Sequence, residues 1–138
     1  MPEWIRKNNK ERLKEEVDAN SVSLLKFPAL EVTNLVRHAF STRMGGVSTG
    51  HLSSMNLSFT RESSYDNVLA NYKRIAKALG VEVEDMVLSY QTHTTNILKV
   101  ESKHRGSGIL RKREYGDVDA LITNEKGVCL VTFFADCV

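Results

Sequence analysis

The stretch that most constrains this chain is its last: Val128-Cys129-Leu130-Val131-Thr132-Phe133-Phe134-Ala135-Asp136-Cys137-Val138. Valine, leucine and phenylalanine occupy both parities of a two-residue alternation, the pattern of a β-strand covered on both faces. A carboxylate and a thiol then appear together where the apolar run stops. Strand ends offer a rigid scaffold beside an open loop, and chemistry gathers there. Cys137 alone would read as one more small core residue, since free cysteines are commonly buried. Asp136 argues against that, because carboxylates are rarely buried without a partner.

The other bulk features leave a globular domain as the frame. The chain has 138 residues, 41% hydrophobic and 26% charged, enough for one domain with a core. A net charge of +2 gives no argument for nucleic acid or a membrane surface as partner. The final stretch is too short to span a bilayer, and Met1-Pro2-Glu3-Trp4-Ile5-Arg6-Lys7 lacks the apolar centre of a signal peptide. The expected location is therefore the cytoplasm. In an extended strand Cys129 and Cys137 would lie roughly 26 Å apart at about 3.3 Å per residue. They cannot pair within it, which suits a reducing compartment.

Along the chain, residues 1–20 read as a polar arm or surface helix, with only Ile5, Leu13 and Val17 as a thin stripe. The domain proper is placed at 21–138. Strands are expected over Ser21–Phe27, stopped by Pro28, and over Leu35–Ser41. Ser63–Leu79 is the clearest helix. Val68, Leu69, Tyr72, Ile75, Ala76 and Leu79 share one face, Ser63 with Asp66 resembles a capping box, and Gly80 ends it. The helix is read as packing against a sheet, with no chemistry of its own. Short strands follow at Met86–Gln91, Asn96–Val100 and Asp119–Thr123, and Asn124–Gly127 turns the chain into the last strand with Gly127 at positive φ. The basic clusters Lys103-His104-Arg105 and Arg111-Lys112-Arg113 have no interleaved aromatics, so Glu101–Asp117 is taken as a solvated, mobile loop.

Two loops carry candidate chemistry. Thr42-Arg43-Met44-Gly45-Gly46-Val47-Ser48-Thr49-Gly50 combines flexible glycines with a guanidinium. Free amides of Gly45 and Gly46 could cradle an anion that Arg43 also binds, with Ser48 and Asn56 behind. A plain surface turn would look much the same. Gln91-Thr92-His93-Thr94-Thr95-Asn96 surrounds a histidine with amide and hydroxyl groups able to orient its ring. A lone histidine in a polar turn is more often a surface residue.

Taken in order, Phe40–Ser48, Met55-Asn56-Leu57, Gln91-Thr92-His93, Asp119–Thr123 and Ala135-Asp136-Cys137 resemble the laccase-domain purine nucleoside phosphorylases, earlier named multicopper polyphenol oxidases. The resemblance runs from about His38 to the end. It departs from the usual pattern at Met55, where leucine is frequent, and at Thr94, where glycine is frequent. It implies an α+β fold of mixed β-sheets flanked by helices, of which this chain would be the N-terminal portion.

It also implies zinc held by His93, Cys137 and a second histidine that would follow beyond Val138. The implied activities are phosphorolysis of adenosine, inosine and methylthioadenosine, and deamination of adenosine. Purine nucleosides and phosphate are then the partners. His93 and Cys137 are the expected catalytic and metal-binding residues. Arg43, Gly45, Gly46, Ser48, Asn56 and Gln91 are expected at substrate or phosphate. Asp136 falls on the opposite face of a regular strand and is expected to support the site.

With two of three ligands, the 138 residues should bind zinc weakly, turn over little and self-associate through the final strand. The alternatives are a cysteine hydrolase using Cys137 and His93, and a non-catalytic nucleoside- or phosphate-binding module. Copper is disfavoured, because the four histidines stand in unrelated contexts.

Overall fold

In a computed structural model, residues 13–62 and 64–134 are described. The chain divides into two compact units at the Leu79–Gly80 boundary. No helix among the described residues is long and apolar enough to cross a membrane.

The first unit holds a three-stranded antiparallel sheet in the order β1 (Lys14–Val17), β2 (Ser23–Lys26), β3 (Phe40–Ser41). Residues 14–17 are thus a strand and not part of a helix; residues 1–12 lie outside the described residues. The reason lies in their charges. Glu16 takes Lys26 across the sheet at 2.5 Å as well as Lys14 at 2.9 Å, and these contacts, Lys26 first, draw its carboxyl down to about 2. A charged outer strand is a natural edge strand, and its polar sequence imitates a solvated helix. Asp18 closes the β1–β2 turn by accepting the Val22 and Asn20 amides.

The strand expected over Leu35–Ser41 shortens to Phe40–Ser41, opposite Leu25 and Leu24. β2 stops before Pro28, which opens a single helical turn, α1 (Pro28–Glu31), so residues 35–39 meet no ladder. Instead the Phe27 amide donates to Nε2 of His38 at 2.7 Å, and the two rings stack. Leu35 is left 84% exposed.

α2 (Tyr65–Leu79) matches its periodicity: Val68, Tyr72, Ile75 and Ala76 are buried on one face. Its cap is Ser64, whose Oγ accepts the Asn67 amide at 3.3 Å; Ser63 lies outside the described residues. Phe59 stacks on both Tyr65 and Tyr72. Gly80 follows at φ 72.

The second unit is built from two parallel pairs. β4 (Met86–Leu88) runs beside β7 (Cys129–Val131), and β5 (Ile97–Lys99) beside β6 (Ala120–Ile122). Gly127 has the expected positive φ, 71. β7 differs from the long strand buried on both faces. It has three residues, all half-buried, and Phe134 beyond it is 58% exposed. Its length is set by β4, whose ladder ends as the Ser89 amide donates to the Val131 carbonyl.

The basic segment is not merely solvated. Gly106 and Ser107 bond to Met86 and Leu88 of β4, and Ser107 and Ile109 are buried. Arg113 donates to the Ser89 carbonyl at 2.6 Å and lies over the Tyr90 ring; Arg105 donates to the Gly127 carbonyl. Arg111 donates to the carbonyls of Arg105 and Lys103. A guanidinium has five donors, so it can satisfy loop carbonyls that no strand reaches.

Candidate functional site

In the first unit the glycine loop is knitted to residues 53–56 and to α2. The Arg43 carbonyl accepts the amides of Ser54 and Met55, while its Nε and Nη2 both donate to the Ser53 carbonyl. The side chain is exposed, and Nη1 carries no hydrogen bond among the described residues. The amides that would form an anion cradle are largely engaged. Gly46 donates to Ser54 Oγ, Val47 to Oδ1 of Asn71, and Ser48 to the Ser54 carbonyl. The glycines admit the chain's own backbone. A Cβ on Gly45, at φ 82, would lie 2.4 Å from the Val22 nitrogen, and one on Gly46 would lie 1.9 Å from the Ser54 oxygen.

Ser48 and Asn56 turn inward. Ser48 Oγ donates to Glu62 at 2.6 Å and Asn56 Nδ2 donates to the same carboxylate at 3.0 Å. With Asn67 as third donor, these bonds, Ser48 first, hold the Glu62 carboxyl below its usual range. Asn71, on α2, is fully buried. Its Nδ2 reaches Ser48 Oγ and the carbonyls of Asn56 and Ser54, while Arg74 holds the Gly45 carbonyl at 2.7 Å. Asn71 and Glu62 escaped the sequence reading. A polar residue between Val68 and Tyr72 on an apolar face was the available signal for Asn71; Glu62 had none.

In the second unit, His93 sits in the turn after β4 at φ 64, a backbone region few non-glycine residues adopt. Asp119, at the entry to β6, accepts the amides of Thr92 at 3.0 Å, His93 at 2.9 Å and Thr94 at 3.0 Å, and the Thr94 hydroxyl at 3.0 Å. These donors, the Thr94 amide first, take its carboxyl down to about 2. Asp117 reinforces the turn through the hydroxyls of Thr92 and Thr94. The His93 imidazole is exposed and has no hydrogen-bond partner among the described residues.

Gln91 does what a longer β4 would have done. Its Oε1 accepts the Phe133 amide at 2.7 Å and its Nε2 donates to the Phe133 carbonyl at 3.0 Å. Because β4 and β7 are parallel, their carboxyl ends lie side by side, and Gln91 ties the His93 turn to the residues after β7. Asp136 and Cys137 lie outside the described residues. Cys129 is a half-buried thiol whose pKa burial raises, with the Asp85 charge as a second cause. Among the described residues no three His, Cys, Asp or Glu side chains come together as a metal group. The Asp119 oxygens nearest His93 already accept the turn's amides, so in this turn the His93 imidazole is the group left open to a metal.

The sequence model of a family described as multi-copper polyphenol oxidoreductase laccase matches residues 37–138. The chain is similar to a purine nucleoside phosphorylase of Bacteroides thetaiotaomicron, 31% identical over 116 residues that cover 83% of this chain and 43% of that protein. It is 35% identical over 111 residues to a purine nucleoside phosphorylase of Deinococcus radiodurans, covering 80% of this chain and 40% of that one. Among solved structures, the Bacillus licheniformis hypothetical protein YfiH matches with a TM-score of 0.74 at 31% identity, over 88% of this chain and 44% of its own. The chain therefore spans less than half the length of these relatives. The mixed α and β architecture agrees with that structural match, and the family model covers most of the sequence: the chain belongs to the multi-copper polyphenol oxidoreductase laccase family.

Proposed function

We propose that this chain contributes to a purine nucleoside phosphorylase that also deaminates adenosine. The observation that carries this reading is the set of phosphorylase-named relatives, two of them 31% and 35% identical to this chain. In the proposed reaction a phosphate oxygen bonds to the anomeric carbon as the carbon–nitrogen bond to the base breaks. The base leaves with the bonding pair and takes a proton. Arg43 is assigned to phosphate through Nη1, its one nitrogen without a hydrogen bond among the described residues. Gly45, Gly46, Ser48 and Asn56 shape the loop that presents it. His93 and Cys137 are assigned to a zinc ion, with Asp136 in support. Zinc is preferred to copper because a thiolate and an imidazole suit it.

These are two ligands where a catalytic zinc takes three. The 138 residues alone are expected to hold zinc weakly, to turn over slowly and to associate through the half-covered β7. The test is hypoxanthine release from inosine with and without phosphate. Release should need phosphate and should be abolished by His93→Ala. Arg43→Lys, which keeps the charge and loses the planar fork, should raise the phosphate KM about tenfold, roughly 1.4 kcal/mol, and leave adenosine deamination unchanged. Release independent of phosphate, or equal loss of both activities in Arg43→Lys, would contradict the assignment.

A further inference from the structure

The backbone amides of the turn that presents His93 are gathered by one carboxylate, while Asp117 takes its threonine hydroxyls. Thr92, His93 and Thr94 direct three successive amides to the same side chain, Asp119, which is 26 residues away from His93 in the chain. Successive amides can converge on one acceptor only when the backbone curls, and the positive φ at His93 is that curl. A non-glycine residue resists this conformation at a cost of order 1–3 kcal/mol, so the bonds to Asp119 must offset it. The place of Asp119 is itself fixed. Its amide and that of Ala120 donate to the Asn96 carbonyl, and Tyr90 and Val118 exchange backbone bonds just before it. The clamp thus joins the exit of β4 to the entry of β6, and the imidazole it displays is exposed and has no hydrogen-bond partner among the described residues.

We propose that Asp119 is the positioning residue for His93: its carboxylate gathers the 92–94 amides, locks the left-handed backbone at His93 and so fixes where the imidazole is displayed. The functional part of this inference rests on the reading of His93 as a site residue; the clamp itself does not. Asparagine at 119 keeps the size but replaces one acceptor oxygen with a donor, which faces amide donors. Glutamate keeps both oxygens at a longer reach.

The experiment is nuclear magnetic resonance on the whole chain, reading amide exchange at residues 92–94 and the His93 ring signals. In Asp119→Asn the three amides should exchange about tenfold faster or more, and the ring signals should move to those of a free histidine. Val87 in β4 and Leu121 in β6 should keep their protection. Thr92→Val, which removes only the bond to Asp117, should leave the ring signals in place. If Asp119→Asn does not fold, Asp119→Glu, which keeps both acceptor oxygens at a longer reach, should give the same changes in smaller measure. Unchanged exchange and ring signals in these variants would overturn the proposal. So would phosphate-dependent inosine turnover that Asp119→Asn leaves intact. A clamp that loosens as expected, in a protein with no phosphate-dependent turnover, supports the positioning role and counts against the phosphorylase reading alone.

Discussion

Replacing Asn71 with leucine is expected to destabilise the protein by about 3–5 kcal/mol, although leucine has the same branched skeleton and a better helix propensity. The side chain is fully buried and makes four hydrogen bonds: from the Val47 amide, and to Ser48 Oγ, the Ser54 carbonyl and the Asn56 carbonyl. Each partner left dry and unpaired costs about 1–3 kcal/mol, and partial opening of the loop to water returns some of that. Asn71→Asp should be as damaging, because it turns a donor into an acceptor facing two carbonyls. Thermal unfolding of both variants checks this; a loss below about 1 kcal/mol in Asn71→Leu would show that packing and not hydrogen bonding fixes the loop.

The same network gives a pH dependence. Glu62 is held below its usual range, chiefly by Ser48. A carboxyl whose pKa is lower folded than unfolded adds stability above the unfolded value and loses it as pH falls through the folded one. Stability should therefore decline as pH drops below the ordinary glutamate range, and Glu62→Gln should flatten that decline.

Gly46→Ala is expected to cost about 3 kcal/mol or more. Its Cβ would sit 1.9 Å from the Ser54 oxygen and 2.6 Å from the Met55 Cα, both backbone atoms that cannot rotate away. Gly50→Ala separates this crowding from ordinary glycine strain. Gly50 has φ 64 but nothing among the described residues within 4 Å of an added Cβ, so the conformational penalty of about 1 kcal/mol is what applies. Unfolding midpoints for the pair should differ accordingly; equal midpoints would mean that the 53–56 backbone yields easily.

What the sequence disclosed and what it hid follow from the range of the interactions. α2 was legible because its apolar face repeats locally, and Gly127 because a turn residue acts on its own neighbours. The residues around the glycine loop were legible as a group, yet their roles were not. Gly46 looked like an opening for a ligand, and its amide is bonded to Ser54 and its missing Cβ makes room for backbone. That exchange involves residues eight positions away, which no local pattern carries. β1 was hidden because its charges pair across the sheet with Lys26 instead of along a helix. The apolar pattern predicts too long a β7, because strand length depends on the partner and β4 offers three residues. Asp119 was visible only as the start of a strand; its task depends on a turn 26 residues earlier.

The turn after β4 and the residues following β7 are proposed to make one site, with His93 and Cys137 in it. Phe133, bonded to Gln91, is four residues before Cys137, a reach of at most about 14 Å. The direct measurement is disulfide formation in the double variant His93→Cys, Cys129→Ala. Two residues that ligate one zinc, with bonds of about 2.0–2.3 Å, hold their Cα atoms within roughly 9 Å, so a short bis-thiol cross-linker is used beside direct oxidation, which needs Cα atoms within about 7 Å. Under mild oxidation or with the linker, both free thiols should be lost within a single chain, with the migration of a monomer on a non-reducing gel. Two thiols that stay free, or that bridge only between chains, would contradict it.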